Sequence, residues 1–267
     1  MAALAPRLGP TAGLNIIEHM FPLPSVATDS RRLAHDLAAE LAGRPDIEAL
    51  ALFGSVARGD YDGSSDIDML VLANESLSPS KLHRAVRQHD AAMRFAPSVW
   101  TWSRIERRVE YGSLFLRHVH QEGEVLLDPE GRLNSVLEAA SRTISIEREL
   151  SAVARRLRAY DDPLRFGTVF LFPLAHLYIL AKRTAMIGVA AREQYEFRHA
   201  RVFSSFAELY PEAAEDARVA ASLRPFYAQT KELPTEDMPG RSDDVRFFTC
   251  VTAAVNSMVG SIATSAR

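Results

Sequence analysis

A chain of 267 residues with 47% hydrophobic composition can bury a sizeable core and suits one or two domains, of which two are expected. Its formal charge of −3 gives no global electrostatic case for nucleic-acid binding. The single cysteine, Cys250, excludes an internal disulfide framework and fits a reducing, cytoplasmic setting; its apolar neighbours predict a buried small residue rather than a nucleophile.

Residues 1–27 form an expected leader, in which Pro6, Pro10, Pro22 and Pro24 break any secretory-type apolar run. Thr28, Asp29 and Ser30 offer N-caps for a helix to about Ala42, with Leu33, Leu37, Ala38 and Leu41 on one face and Gly43 and Pro45 as its stop. Ile47 to Phe53 is a short apolar run that fits a buried strand, and Met69 to Leu72 is another. Between them runs Gly54-Ser55-Val56-Ala57-Arg58-Gly59-Asp60-Tyr61-Asp62-Gly63-Ser64-Ser65-Asp66-Ile67-Asp68. Gly54 and Ser55 suit a tight turn whose N–H groups and hydroxyl can face phosphate oxygens. Asp66 and Asp68 are two apart on a strand, so both carboxylates share a face while Ile67 and Met69 point to the core. Adjacent carboxylates repel unless a divalent cation neutralises them, and Mg²⁺, which takes hard oxygen ligands and substrate phosphates, is the natural partner. An Asx-rich surface turn would explain Asp60, Asp62, Gly63 and Ser64 but not two carboxylates at the mouth of a Gly-Ser bend.

Gly54-Ser55, ten intervening residues, then Asp66-Ile67-Asp68, with Ala57-Arg58-Gly59 inside the loop and Ser65 before the first Asp, resembles the signature of the DNA polymerase beta nucleotidyltransferase superfamily. The nearest branch by motif is the minimal nucleotidyltransferases, a branch that includes protein-adenylylating antitoxins and is related to aminoglycoside nucleotidyltransferases. The resemblance is specific over residues 47–73 and extends weakly to about 130. It implies Asp66 and Asp68 as catalytic metal ligands, and Gly54, Ser55, Arg58 and Ser65 as nucleotide contacts. The cofactor implied is Mg²⁺, with ATP or another NTP as co-substrate.

Further along, Pro79 and Ser80 open an expected helix to Phe95 with Leu82, Val86 and Met93 on its apolar face. Pro97 to Ser103 alternates as a third strand. In the superfamily this strand carries a third carboxylate, which the resemblance places at Ser98, so this strand has no acid. Glu48, Glu106 and Glu110 are near enough in sequence to substitute, although solvated surface positions are the commoner use of such residues. Ser103 to His120 reads as one helix and Gly123 to Pro129 as an edge strand, the end of a nucleotidyltransferase domain spanning 28–130. Lys81, Arg84, Arg87, Arg94, Arg104, Arg107, Arg108 and Arg117 outnumber the local acids; a solvated helix surface explains that excess more simply than a triphosphate or RNA contact. His118 and His120 lack the spacing of helical metal ligands.

After Pro129 the pattern becomes helical: Leu133–Tyr160, Leu164–Ala191, about Arg198–Leu209, Glu212–Gln229 and Asp243–Ala263. Residues 131–267 therefore read as an all-α bundle serving substrate or partner, and the whole as an α+β chain with a mixed sheet ahead of the bundle. The apolar run Phe166–Ala181 holds Pro173 and His176 and is too short for a membrane span. The helix order resembles the HEPN-type bundles paired with minimal nucleotidyltransferases. Arg192 and His199, with six residues between them, match the Arg-to-His spacing of HEPN ribonucleases, with Glu193 where a polar residue usually follows.

The expected activity is Mg²⁺-dependent transfer of a nucleoside monophosphate, AMP from ATP, to a hydroxyl on a protein, an RNA end or a small molecule such as an aminoglycoside. The alternative is a degenerate nucleotide-binding module, such as one partner of a toxin–antitoxin pair or a homodimer, and a HEPN-type ribonuclease ranks third.

Overall fold

The computed structural model describes residues 26–61, 65–74, 95–140, 144–167, 169–230 and 243–265, with Leu77, Ser80, Leu82, Arg84 and Arg142 between them. The expected leader, apart from residues 26 and 27, most of the expected helix from Pro79 to Phe95, and Asp62, Gly63 and Ser64 lie outside these residues.

Helix α1 (Val26–Ala42) buries Ala34, Leu37, Ala38 and Leu41, the stripe its 3.6-residue period puts on one side. Strand β1 (Ile47–Phe53) is buried almost throughout, as a central strand covered on both faces must be. It pairs antiparallel with β2 (Ile67–Ala73) and with β4 (Glu124–Leu127), and β2 pairs parallel with β3 (Phe95–Trp100). The sheet order is β3-β2-β1-β4, a mixed sheet. On one face Leu50, Leu52, Ile67, Met69 and Val71 pack against α1. On the other, Ala49, Ala51, Phe53, Leu70 and Leu72 meet Ile105, Leu116, Val119 and Leu137. Those partners come from α3 (Trp102–Glu110), α4 (Leu114–Glu122) and α5 (Arg132–Ala140).

The helices break more often than the periodicity predicts. The single helix expected over Ser103–His120 is α3 and α4, divided where Gly112 takes φ +67, a conformation that an L side chain resists. The long helix expected over Leu133–Tyr160 is α5, then α6 (Ile146–Leu157) and a 3₁₀ turn, Arg158–Tyr160, with Ser145 extended between the two helices. Gly167, at φ +69, separates a 3₁₀ turn (Pro163–Phe166) from α7 (Leu171–Ala191). Next come α8 (Val202–Leu209), α9 (Ala214–Ala221), α10 (Arg224–Thr230) and α11 (Val245–Ser265). Pro225, without an N–H to donate, cannot continue α9, so α10 restarts there.

These later helices form an all-α bundle around α7, which buries residues on every side, among them Leu174, Tyr178, Ala181, Ile187 and Val189. Helix α11 is the one described helix long and apolar enough to cross a bilayer by length and composition; it lays Phe248, Val251, Val255, Met258 and Ile262 into the bundle core. Cys250, expected to be buried, is exposed, because the phase that turns Phe248 and Val251 inward turns residue 250 out.

Bundle and sheet are joined by a buried carboxylate. Glu149 on α6, nearly fully buried, accepts from the Arg183 guanidinium of α7 at 2.5 Å and from the backbone N–H of Leu114, which starts α4, at 3.2 Å. Leu114 itself packs in the bundle core. Arg183→Met strips the cation from this buried acid. It is expected to cost about 3 kcal/mol in chemical denaturation, the low end for orphaning a buried charge, because Glu149 keeps its backbone donor.

Candidate active site

β1 ends at Phe53 and the chain turns at Gly54, whose φ is +76, into the one-turn helix α2 (Gly54–Arg58). The expected tight turn is therefore a short helix, closed by Gly59 at φ +83, whose N–H donates to the Ser55 carbonyl at 2.9 Å. Asp68, the second residue of β2, pairs with Phe53 across the β1–β2 ladder, so it stands where β1 gives way to the bend. A Cβ on Gly54 would lie 2.7 Å from Asp68 Oδ2. This close approach explains a glycine at that position as fully as its φ does. Asp66 precedes β2 by one residue, and Asp66, Asp68 and Ser65 are all half-buried.

The third strand starts two residues before the expected Pro97, at Phe95, and ends at Trp100. Asp68 pairs with Ala96 on β3, while Ser98 lies opposite Leu70, two residues along. The neighbour of Asp68 is thus Ala96 rather than Ser98, and Phe95–Trp100 carries no carboxylate at either position.

Arg58 lies in a clamp. Its guanidinium pairs with Asp60 at 3.0 Å and with Glu122 at the end of α4, and Glu122 also bonds His118 Nε2 at 2.7 Å. His118 stacks on Phe197 at 4.2 Å and meets the edge of Phe53 at 5.4 Å. Burial pushes the His118 imidazole below its ordinary value, against the opposing pull of Glu122. Burial alone would raise the Glu122 carboxyl, but His118 and Arg58 outweigh it and hold it low. Both groups make the fold acid-sensitive: with a depressed folded pKa, the unfolded chain takes up the proton first as pH falls. Stability is expected to drop as pH falls below about 6.5, where an unfolded histidine titrates. A second drop follows as Glu122 protonates. His118→Gln should shrink the first step in pH-dependent thermal melts, with His176, whose pKa burial also lowers, supplying what remains of it.

The bundle reaches this point through α7 and the segment after it. Lys182 on α7 bonds His199 Nε2, and the Tyr178 hydroxyl lies 3.0 Å from His199 Nδ1. Burial pushes the Lys182 amine down to about 8, with Asp68 and Glu122 opposing and Arg58 assisting that shift. A cleft of about 570 Å³ opens beside the clamp, lined by Arg58, Asp60, Gln121 and Glu122 from the sheet side and by Tyr195, Glu196 and Arg198 from the bundle side. Arg198 is held by Glu196 at 2.6 Å.

The structure thus gathers Gly54, Arg58 and Asp68 with Glu122, His118 and Lys182, which the sequence reading did not assign to the site. Tyr178 and Lys182, one turn apart on a largely apolar helix, were the signal available in the sequence. Arg192 and His199 engage different groups: Arg192 lies over the Tyr210 ring at 5.1 Å, whereas His199 is tied to Tyr178 and Lys182. Among the described residues no cluster of three or more His, Cys, Asp or Glu could hold a metal, so a cation here would rely on two carboxylates and on ligand oxygens.

Residues 35–129 match the family described as polymerase beta, nucleotidyltransferase, so this part of the chain is a nucleotidyltransferase domain of that type. The chain is also similar to solved toxin–antitoxin structures. One, a toxin–antitoxin with AMP-PNP, is 18% identical, covering 50% of this chain and 98% of that one, with a TM-score of 0.30. The toxin–antitoxin MntA-HepT is 18% identical with the same coverage and a TM-score of 0.28, and a mutant of that pair is 16% identical with a TM-score of 0.31. No curated protein matches.

Proposed function

We propose that this chain, with its polymerase beta-type domain over residues 35–129, transfers a nucleoside monophosphate, AMP from ATP, to a hydroxyl acceptor. The observation that carries the reading is the Asp68 carboxylate set against Gly54 where β1 meets the bend, with Asp66 two residues earlier. The donor set fits Mg²⁺: two hard-oxygen carboxylates beside a glycine whose missing side chain leaves room, the remaining ligands coming from phosphates and water. Bound there, Mg²⁺ would neutralise charge that develops on the triphosphate. Gly54 and Ser55 would hold the outer phosphates with Ser65 beside them, and Arg58, released from Asp60, would add a guanidinium. The cleft between Glu122 and Arg198 is the space for the acceptor.

The test is incubation with α-labelled ATP, Mg²⁺ and candidate protein, RNA and small-molecule acceptors. Label should transfer with the wild type and not with Asp66→Asn. The acid-free β3 favours a second reading, a nucleotide-binding module without chemistry, for which ATP would bind and no label would move. Such a module would act through a partner chain or a second copy.

A further inference from the structure

We infer that Asp60 competes with the nucleotide for Arg58: in the free chain its carboxylate fills the edge of the guanidinium that an outer phosphate takes when ATP binds. The inference rests on the nucleotide-binding half of the proposed function and not on transfer.

The contacts around Arg58 divide its guanidinium in two. Nε donates to both carboxylate oxygens of Asp60, at 3.1 and 3.3 Å, and Nη2 lies 3.0 Å from Asp60 Oδ1, so one whole edge is taken by this acid. Nη1 donates to Glu122 on α4. The two acids are held unequally. The Glu122 side chain is 10% exposed and is fastened a second time, to His118 Nε2 at 2.7 Å, so pulling it away would strand a buried charge. The Asp60 side chain is 43% exposed, and among the described residues its carboxylate hydrogen-bonds Arg58 alone. Breaking that pair returns Asp60 to water at little cost. Glu122 is therefore the anchor of Arg58, and Asp60 the replaceable partner.

The edge that Asp60 fills suits phosphate, because the same pair of N–H groups accepts two oxygens of either anion. Its position suits phosphate too. The Asp60 and Gly59 N–H groups both donate to the Ser55 carbonyl, at 3.2 and 2.9 Å, which folds Arg58 and Asp60 back onto the turn that starts at Gly54. A Cβ on Gly54 would in turn lie 2.7 Å from Asp68 Oδ2, so this turn and the metal-binding carboxylate are in contact. Arg58, Asp60 and Glu122 all open onto the cleft. An outer phosphate carries more charge than a carboxylate and wins the exchange. Arg58 then keeps Glu122 while Asp60 turns out into the cleft, and Asp60 closes back when pyrophosphate leaves.

Calorimetric titration of the full chain with ATP and Mg²⁺, run as a double-mutant cycle, tests this. Asp60→Asn should tighten ATP by about fivefold, the contribution of one half-exposed ion pair. Arg58→Met should weaken it by on the order of tenfold, the loss of a charge-assisted bond. In the Arg58→Met background Asp60→Asn should change nothing. Removal of a negative charge as such would help in both backgrounds, whereas competition helps only where the guanidinium is present. A second readout needs no change at Arg58: its ¹⁵N-labelled Nε–H should be protected from exchange in the free wild type, unprotected in free Asp60→Asn, and protected again on adding magnesium pyrophosphate. An unchanged or weaker ATP affinity in Asp60→Asn overturns the inference, as does an equal gain in both backgrounds or an Nε–H that pyrophosphate leaves unprotected. If ATP binds neither wild type nor Asp60→Asn, the nucleotide reading itself fails and takes the inference with it. If the cycle holds and no label is transferred, only transfer fails, and Asp60 keeps its role.

Discussion

Replacing Asp68 by Asn is expected to leave the fold within about 1 kcal/mol of wild type and to cut nucleotidyl transfer by on the order of a thousandfold, the upper loss seen when one preorganised electrostatic group is removed. The change keeps the shape of the side chain and removes only its charge. Asp68 sits half-buried at the start of β2, where the backbone ladder to Phe53 and Ala96 holds its position whichever atom terminates the side chain. What disappears is the negative oxygen needed to hold a divalent cation against the triphosphate. Label transfer from α-labelled ATP, read alongside a thermal melt, separates the two effects. An Asn variant that transfers at the wild-type rate would remove the two-carboxylate site from consideration.

The second large effect is a contrast between two glycines. Gly54 and Gly59 both adopt left-handed backbone, at φ +76 and +83. Each should lose about 1–2 kcal/mol on conversion to alanine, because an L side chain then crowds the following carbonyl. They differ in surroundings. The alanine methyl at 54 would come 2.7 Å from Asp68 Oδ2, whereas at 59 no atom lies within 4 Å. Gly54→Ala must therefore push the carboxylate aside, and a displacement near 1 Å costs about a hundredfold in rate. Gly59→Ala should melt at a similar temperature and keep its activity. Equal activities in the two variants would mean that the closeness of Gly54 to Asp68 serves packing alone.

The strands around the bend were legible because a short apolar run admits few readings once a Gly-Ser turn and an alternating Asp pair bound it. The β3 register was not. β2 and β3 run parallel across a long connection, and nothing local fixes whether Ala96 or Ser98 faces Asp68. Helix breaks at Gly112 and Gly167 were present in the sequence as isolated glycines, but an apolar period running through them outweighed a single residue's preference for positive φ. Cys250 was misplaced by reading its neighbours along the chain rather than around the helix. Lys182 and Glu122 were out of reach for a different reason: Lys182 enters the field of Asp68 and Arg58 only once the bundle packs on the sheet, and Glu122 reaches Arg58 from 64 residues further along the chain, an interval no motif encodes.

Leu114 opens a helix of the sheet half yet lies in the core of the helical half, its amide fastened to Glu149. A fragment excised after β4 would thus surrender a wall of its cleft and uncover a leucine and an uncapped helix start together. An engineer wishing to graft this catalyst onto another scaffold would have to carry α6 and α7 along with it.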